Sequence, residues 1–314
     1  MAIKKYYSDY NNYLRSIFGQ RVQKITVDTG LSCPNRDGTI ANGGCIYCNS
    51  KGSGSGLFSQ GISIKDQIEQ GRRAMVRRYK ASKFLVYFQS YTNTYTSCEN
   101  MKRMYDEALS VPGMVGMAIG TRPDCVDDEK LDLIASYARD YLVWLEYGLQ
   151  SVHDSTLKLI NRGHNFACFK EAVAMARKRG IKVCAHVILG LPGEDRSMML
   201  ETARVLGELG IDGVKIHLLY VVKHTKLGRM WSNKEYRCLE QTEYVNILCD
   251  FLELLPESVI IQRVTGDPHP EELVAPAWAM ERNETFKMIQ DTFETRKSFQ
   301  GKLFKGENLW KSNP

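Results

Sequence analysis

The chain has 314 residues, of which 43% are hydrophobic and 25% charged, and its formal net charge is +6. This is the composition of an ordinary soluble globular protein with one large or two modest domains. It contains no run of about 18 apolar residues and no apolar signal-peptide core, so we expect a cytoplasmic protein without membrane contact. The mild positive charge permits a polyanionic partner such as RNA but does not require one.

Short β-branched or aromatic runs alternate with helical patterns along the chain. We predict six strands, at residues 23–27, 83–89, 115–121, 141–147, 181–189 and 213–219. Helical patterns occupy residues 63–80, 98–110, 127–139, 166–180, 196–210 and 235–254. This alternation predicts an α/β fold with a parallel sheet and right-handed crossovers. An open or closed barrel and a doubly wound sheet both fit the pattern.

The alternation breaks after residue 221. From about residue 258 the stretch "QRVTGDPHPEELVAPAW" is proline-rich and turn-like, and a helix from about 283 leads into a basic tail. We therefore predict two parts. Residues 1–221 form the main fold with an N-terminal lead-in, and residues 222–314 form an extension that covers it.

Polar stretches with glycine or proline follow the predicted strands. Three cysteines follow the first strand. The second to fifth strands are followed by "QSYTNTYTS", "TRPDC", "GLQS" and "GLPGED", respectively. The carboxyl ends of parallel strands meet at one edge, where α/β folds bind their ligands. We expect the active site at this edge.

Cys33, Cys45 and Cys48 lie in "CPNRDGTIANGGCIYC", with the spacing C-x11-C-x2-C. Clustered cysteines in a reducing compartment indicate metal chemistry rather than disulfides. Structural zinc takes four ligands, and the next cysteine, Cys98, lies beyond a predicted helix and strand. A [4Fe–4S] cluster on three thiolates instead leaves one iron open.

These residues resemble the cluster loop of the radical-SAM superfamily, including the aromatic Tyr47 before the last cysteine. The first gap is longer than that superfamily's usual C-x3-C-x2-C. With its longer first gap and the motifs "CPNRDG" and "GGCIYC", the chain resembles a short branch related to the catalytic subunit of Elongator, over roughly residues 5–275. The resemblance implies a partial (β/α)6 barrel that uses a [4Fe–4S] cluster and S-adenosylmethionine. It also implies an electron donor such as flavodoxin or ferredoxin.

Besides Tyr47, which the resemblance places at the cofactor, five further residues are assigned to S-adenosylmethionine. Gln150 in "LEYGLQS" corresponds to a ribose contact, and Arg162 in "NRGH" to a partner of the methionyl carboxylate. His186 in "HVILGLPGE" stands where relatives often carry an Asp near the ribose. Ser90 and Thr92 in "FQSYTNTY" occupy the place of the segment that holds the methionyl amino group. A buried hydrogen bond for Gln150 and a surface ion pair for Arg162 are the structural alternatives.

Two residues are candidates for a catalytic role. Cys125 follows "TRPD" at a strand end, where it either faces the site or belongs to the core. Glu146 lies on a strand of the buried type and is either a satisfied core carboxylate or a substrate ligand.

The resemblance also implies a substrate class. The Elongator-like branch acts on the 5-position side chain of the wobble uridine in tRNA. The 314 residues leave no room for Elongator's acetyltransferase domain. We therefore expect remodelling of an existing side chain, such as carboxymethylaminomethyl to aminomethyl. The alternatives are a radical-SAM enzyme for a small metabolite or porphyrin-like substrate, and a non-enzymatic zinc or iron–sulfur RNA-binding protein.

Overall fold

The computed structural model describes residues 6–49 and 56–306. Its centre is a seven-stranded parallel sheet, curled into a half barrel, with strand order β1-β2-β3-β4-β5-β6-β8. The predicted partial barrel is therefore confirmed. The strands of this sheet are β1 (Val22–Val27), β2 (Lys83–Phe88), β3 (Met114–Thr121), β4 (Leu142–Gln150), β5 (Lys182–Leu189), β6 (Gly213–Leu218) and β8 (Ile260–Arg263). Two short strands, β7 (Val221–Val222) and β9 (Leu273–Ala275), form a separate antiparallel pair.

Ten α-helices lie in the described part of the chain, and most of them connect successive strands. They are α1 (Tyr10–Phe18), α2 (Ile64–Tyr79), α3 (Cys98–Leu109), α4 (Asp128–Tyr137), α5 (Asp154–Leu159), α6 (Phe166–Lys178), α7 (Arg196–Leu209), α8 (Lys226–Ser232), α9 (Gln241–Glu253) and α10 (Arg282–Arg296). The crossover helices α2, α3, α4, α6 and α7 start at a Ser, Asp or Asn whose side chain accepts a backbone N–H of the first turn. These capping residues are Ser63, Ser97, Asp127, Asn165 and Asp195. Glu240 instead forms a capping box with Glu243 at the start of α9. Among the described residues, no helix has the length and apolar character that a bilayer crossing requires.

The amino end of the half barrel is filled with aromatic side chains. Trp144 of β4 is fully buried, and the rings of Tyr10 and Tyr13 of α1 pack edge-on against it at 5.8 and 5.7 Å. Such edge-to-face pairs are favourable beyond the area they bury. The amino end is thus closed by apolar packing, whereas the polar loops lie at the carboxyl end.

The seventh strand comes from the region that the sequence analysis read as turn-like. Strand β8 pairs in parallel with β6, with Gly213 opposite Ile260. Four residues bounded by proline-containing turns are too few to show a hydrophobic period, so the sequence pattern did not reveal this strand. The extension therefore contributes an edge strand to the sheet itself. The division at residues 221 and 222 stays a prediction.

The chain after α10 packs at the amino end of the sheet. The Gln300 amide donates to the carbonyls of Pro256 and Val259, at 2.7 and 2.8 Å, just before β8. Its oxygen accepts the backbone N–H of Ser8 at 2.9 Å. This part of the predicted basic tail therefore lies opposite the polar loops. Residues 307–314 of that tail lie outside the described residues.

Candidate active site at the carboxyl ends of the strands

The loop after β1 is held in a compact shape by its own backbone. The N–H of Arg36 donates to the carbonyl of Cys33 at 2.8 Å, and the N–H of Cys48 donates to that of Cys45 at 3.0 Å. Gly43 and Gly44 both have φ near +80°, a conformation that favours glycine. The glycines thus allow the chain to turn between the first and second predicted cluster ligands.

Hydrogen-bond donors face two of the three thiols, those of Cys45 and Cys48. Cys33 and Cys45 are buried, and Cys48 is partly exposed. Arg36 Nη1 lies 3.2 Å from Cys48 Sγ, and Asn35 Nδ2 lies 3.7 Å from Cys45 Sγ. Burial and the neighbouring Cys45 raise the pKa of the Cys48 thiol. Donors aimed at sulfur stabilise thiolates, so this loop suits a group that takes thiolate ligands.

No three His, Cys, Asp or Glu side chains within residues 6–49 and 56–306 converge closely enough to hold a single metal ion. A cubane cluster that takes one thiolate on each of three irons requires more widely spaced sulfurs than a single ion does.

Arg162 links the cysteine loop to the end of β4. Its Nε and Nη2 donate to the carbonyl of Gly148 at 3.0 and 2.6 Å, and its Nη1 lies 3.7 Å from Cys45 Sγ. Burial disfavours the guanidinium charge, but the thiol of Cys45 and the phenol of Tyr47 outweigh burial and raise the pKa of Arg162. A Cβ at Gly148 would stand 2.5 Å from Arg162 Nη2, so the arrangement requires glycine there. Arg162 is a buried residue of the site rather than a member of a surface ion pair.

Gln150 is the last residue of β4, three residues beyond the predicted strand end. Its φ is +83°, and the pairing of β4 with β5 is irregular between Gly148 and Gln150. Positive φ at a residue other than glycine is strained and occurs preferentially at functional sites. The bulge keeps the side chain of Gln150 beside Gly148. A Cβ placed on Gly148 would stand 2.8 Å from Gln150 Nε2.

Ser90 and Thr92 follow β2 and are fully buried. Neither hydroxyl has a hydrogen-bond partner among the residues that the structure describes. Asn93 holds the segment in place, since its amide donates to the carbonyls of Phe88 and Gly120 at 3.0 and 2.9 Å. Buried hydroxyls without partners are costly, and a polar ligand at this edge would satisfy them.

His186 and Glu146 lie inside the half barrel. His186 Nε2 is 2.9 Å from Glu146 Oε2, and the Lys215 ammonium donates to the same oxygen. Lys24 Nζ lies 3.6 Å from Glu146 Oε1. We call Lys24, Glu146, His186, Lys215 and His217 the interior charge cluster; the rings of its two histidines are 5.4 Å apart.

Burial and mutual charge shift the pKa values in the interior charge cluster. Burial alone would raise the pKa of Glu146, but Lys215, Lys24 and His186 hold it well below its usual range. Burial and the charge of Lys215 lower the pKa of Lys24 to about 7. Burial and Lys215 likewise lower the pKa of His186 to about 4. At neutral pH the cluster therefore holds an ionised Glu146 and a neutral His186.

Neither lysine of the interior charge cluster was among the site residues predicted from the sequence. Lys24 and Lys215 lie in "QKITV" and "GVKIHLL", which read as ordinary buried strands. A charged residue within an apolar strand run was the available signal, because such a charge must find a partner.

Cys125 and Tyr47 lie beside the site. The Cys125 carbonyl accepts the hydroxyl of Thr94 at 2.6 Å, and burial with the nearby Asp124 raises the pKa of its thiol to about 12. This thiol stays protonated at neutral pH. Tyr47 packs on the apolar cluster that includes Leu191. Arg122, which the sequence analysis did not consider, donates to the Arg162 carbonyl at 2.8 Å and pairs with Asp124.

The fold and this edge define an α/β half-barrel protein with three free thiols in its first strand-end loop. Two family models match the chain: "Radical SAM superfamily" over residues 37–206 and "Radical_SAM C-terminal domain" over residues 211–295. The chain belongs to the radical SAM superfamily. Members of this superfamily use a [4Fe–4S] cluster and S-adenosylmethionine.

Individual relatives agree with this placement. The chain is 40% identical to the uncharacterized protein YtqA of Bacillus subtilis over 301 residues, which cover 96% of this chain and 94% of YtqA. It is 30% identical to the tRNA uridine(34) acetyltransferase of Dehalococcoides mccartyi over 156 residues, which cover 49% of this chain and 33% of that enzyme.

A solved structure of the archaeal Elp3 of Methanocaldococcus infernus matches with a TM-score of 0.67 and 18% identity. The match covers 89% of this chain and 64% of that one, so the chain spans slightly less than two thirds of the Elp3 chain. At this identity the match shows a shared fold. The predicted resemblance to a short Elongator-related branch is confirmed.

Proposed function

We propose that this radical SAM enzyme remodels the 5-position side chain of the wobble uridine in tRNA. Shortening of carboxymethylaminomethyl to aminomethyl is the leading case. The observation that carries the proposal is the partial match to a tRNA uridine(34) acetyltransferase, whose name places its substrate at the wobble position. The Elp3-like fold supports the same substrate class.

We assign the cluster to Cys33, Cys45 and Cys48; the sulfur of Cys45 faces donors from Asn35 and Arg162, and that of Cys48 faces a donor from Arg36. When bound, the cluster and S-adenosylmethionine supply a 5′-deoxyadenosyl radical, which abstracts hydrogen from unactivated C–H bonds.

The remaining residues of the edge position S-adenosylmethionine. The orphaned hydroxyls of Ser90 and Thr92 accept or donate to its polar groups. Arg162 and Gln150 lie beside Gly148 at the end of β4, within the same edge. His186 lies deeper in the half barrel, hydrogen-bonded to Glu146, so a ligand contacts it only when the ligand extends into the barrel interior.

The closed amino end has a role in this chemistry. A primary carbon radical reacts with whatever hydrogen donor it meets, so the site must exclude alternatives to the substrate. The packing of Trp144 with Tyr10 and Tyr13 closes the amino end of the half barrel. The substrate then enters from the carboxyl end, where a tRNA loop and an electron donor such as flavodoxin or ferredoxin have access.

The test is formation of 5′-deoxyadenosine by the anaerobically reconstituted and reduced protein. The substrate is tRNA that carries carboxymethylaminomethyl at the wobble uridine, and the comparison is the same tRNA transcribed without modifications. We expect strong stimulation by the modified tRNA only, with an aminomethyl product in the mass spectrum of its nucleosides.

A matched pair of cysteine variants controls this experiment. Cys33→Ala is expected to lose the cluster, which holds about four irons per chain, and to form no 5′-deoxyadenosine. Cys98→Ala, in α3 and outside the loop, is expected to keep both. Slow 5′-deoxyadenosine formation that is indifferent to tRNA would overturn the tRNA substrate and favour a small molecule. No formation by a fully loaded protein would overturn the enzymatic proposal.

A further inference from the structure

The interior charge cluster contains more positive than negative charge. Lys24 and Lys215 share the single carboxylate of Glu146. Within the described residues, no other acidic side chain pairs with either lysine. Lys215 and the protonated fraction of Lys24, whose pKa is lowered to about 7, together carry more positive charge than the one carboxylate offsets, and an anion beside Lys24 would favour its charged form.

Arg263 adds to this charge from the edge of the sheet. It pairs in register with Lys215, is exposed, and forms no ion pair with a described residue. It is close enough to contribute to the lowered pKa values of His186 and His217, after the larger effect of burial. The positive field therefore extends from the interior to the open edge at β8.

Several polar atoms around the cluster have no partner. His217 Nε2 and both side-chain amide atoms of Gln262 are buried without a hydrogen-bond partner in the part of the chain that the structure describes. The unsatisfied nitrogen atoms of His217 and Gln262, beside an excess of positive charge, are features of a site that would take a polar anion.

The cluster is within reach of the cofactor edge. His186 and Lys215 stand in register with Gly148, whose carbonyl accepts Arg162. Glu146 lies two residues below Gly148, which is about 7 Å along a strand. A substrate group held at the cluster therefore has its neighbouring atoms next to the cofactor.

Lys24 is the better placed lysine for a ligand. Its side chain keeps 26% of its surface accessible, against 5% for Lys215. Its distance to Glu146 is also long, at 3.6 Å, whereas Lys215 bonds tightly to the same carboxylate. Lys24 can turn toward an anion while Lys215 keeps Glu146 paired.

We propose that the interior charge cluster is a binding site for the carboxylate of the substrate side chain, with Lys24 as the residue that contacts it. This inference rests on the proposed function, in which the substrate is a carboxymethylaminomethyl group. The aminomethyl product lacks the carboxylate, so the same site discriminates substrate from product. Lys24 is then a specificity-determining residue.

The first experiment compares two forms of the substrate on the wild-type holoenzyme with S-adenosylmethionine. The probes are anticodon stem-loops with carboxymethylaminomethyluridine as the free acid or as its methyl ester. We expect the acid to bind about tenfold more tightly or better, because the ester cannot form the charge-assisted contact. Equal affinities, with turnover of the acid intact, would overturn the carboxylate site and leave the proposed function standing.

The second experiment uses variants. Lys24→Met and the milder Lys24→Gln are expected to reduce the affinity for the acid to that for the ester, while the ester's affinity stays unchanged. Lys182→Met is the matched control, because Lys182 is at the amino end of β5 with 43% of its side chain exposed. Iron content and circular dichroism establish that each variant is folded and loaded. Retention of the acid preference in both Lys24 variants would overturn the assignment.

A third measurement separates this inference from the tRNA proposal. N-methylglycine, a small fragment of the side chain, is titrated into the holoenzyme by calorimetry. Weak binding that Lys24→Met abolishes and Lys182→Met retains would support the carboxylate site even where tRNA fails to stimulate 5′-deoxyadenosine formation. Failure of both the fragment and the tRNA would overturn the site and the function together.

Discussion

The lysines of the interior charge cluster differ in what they contribute to the folded protein. Lys215 is almost fully buried against Glu146, which is itself fully buried. Lys24 is partly accessible and stands farther from the same carboxylate. We infer that Lys215 stabilises the fold, whereas Lys24 is kept at a cost that a ligand offsets.

Stability measurements on two variants test this difference. Lys215→Met leaves the Glu146 charge with a weaker set of partners, and we expect a loss of about 3–5 kcal/mol in the free energy of unfolding. Lys24→Met leaves Lys215 and His186 on Glu146 and removes the burial cost of the Lys24 charge, so we expect no loss, or a gain, in the free energy of unfolding. Urea unfolding at neutral pH measures both. Equal losses in the two variants would mean that the lysines do not differ in this way.

The lowered pKa of Lys24 predicts a pH dependence. Its folded value is about 7, against 10.5 for an ordinary lysine, because of burial and Lys215. Between these values the unfolded chain holds a proton that the folded protein does not, so stability rises with pH. The groups that face Lys24 are Glu146, Lys215, Cys184, Tyr10, Tyr87 and Arg263.

We therefore expect the unfolding free energy of the wild type, relative to Lys24→Met, to increase as the pH rises above about 7. The slope is at most about 1.4 kcal/mol per pH unit. Subtracting the variant removes the titration of groups that both proteins share. A difference that stays flat, or that falls with rising pH, would contradict the lowered pKa.

At the scale of elements, the edge strand β8 depends on chain segments far from it in sequence. Ile261 donates its N–H to the carbonyl of Ser8 at 2.8 Å, and Gln300 bonds the two carbonyls that precede the strand. A four-residue edge strand has little stability of its own. Both ends of the described chain thus fix the position of β8. They also fix the positions of Gln262 and Arg263, which lie on this strand next to the interior charge cluster.

Gln300→Ala tests this support. The substitution removes the partner of the Val259 carbonyl and of the Ser8 N–H, while the Pro256 carbonyl still accepts the N–H of Val259 at 3.0 Å, and we expect a loss of about 2–3 kcal/mol in the free energy of unfolding. Gln60→Ala is the control, since Gln60 is exposed and its amide makes one long bond of 3.3 Å. Comparable effects of the two substitutions in urea would show that Gln300 does not secure the strand.

The sequence predicted the elements that obey a simple pattern. The first six strands are near-continuous apolar runs, because parallel strands are buried on both faces, and their ends mark the polar edge. The three cysteines and Arg162 were visible in the same way, as motifs at strand ends. Their roles toward the cluster and S-adenosylmethionine stay predictions.

Other features depend on tertiary contacts and left no pattern. The fourth strand extends to Gln150 because a bulge carries the pairing past Gly148, which the sequence reads as a turn. The convergence of Lys24, Glu146 and Lys215 requires the curvature of the sheet, since the three residues belong to strands that are not all adjacent. Strand β8 is too short to show a period.

At the scale of the whole molecule, the half barrel separates two ends with different chemistry. The amino end is an aromatic and hydrogen-bonded base, and the carboxyl end carries the thiols and orphaned polar atoms. The exposed arginines of α2, Arg73, Arg77 and Arg78, lie along a helix that runs toward the amino end. A long polyanion such as tRNA could use them only by extending down the side of the barrel.

The hydrogen bond between the Ser8 N–H and the Gln300 side chain has a practical consequence for handling the protein. Both ends of the described chain lie beneath the half barrel, on the side away from the cysteine loop. An affinity tag or a surface anchor placed beyond either end would hold the molecule by its base. Immobilised in this orientation, the protein would present the edge with the cysteine loop to the solution, with free access for a macromolecule as bulky as a folded nucleic acid.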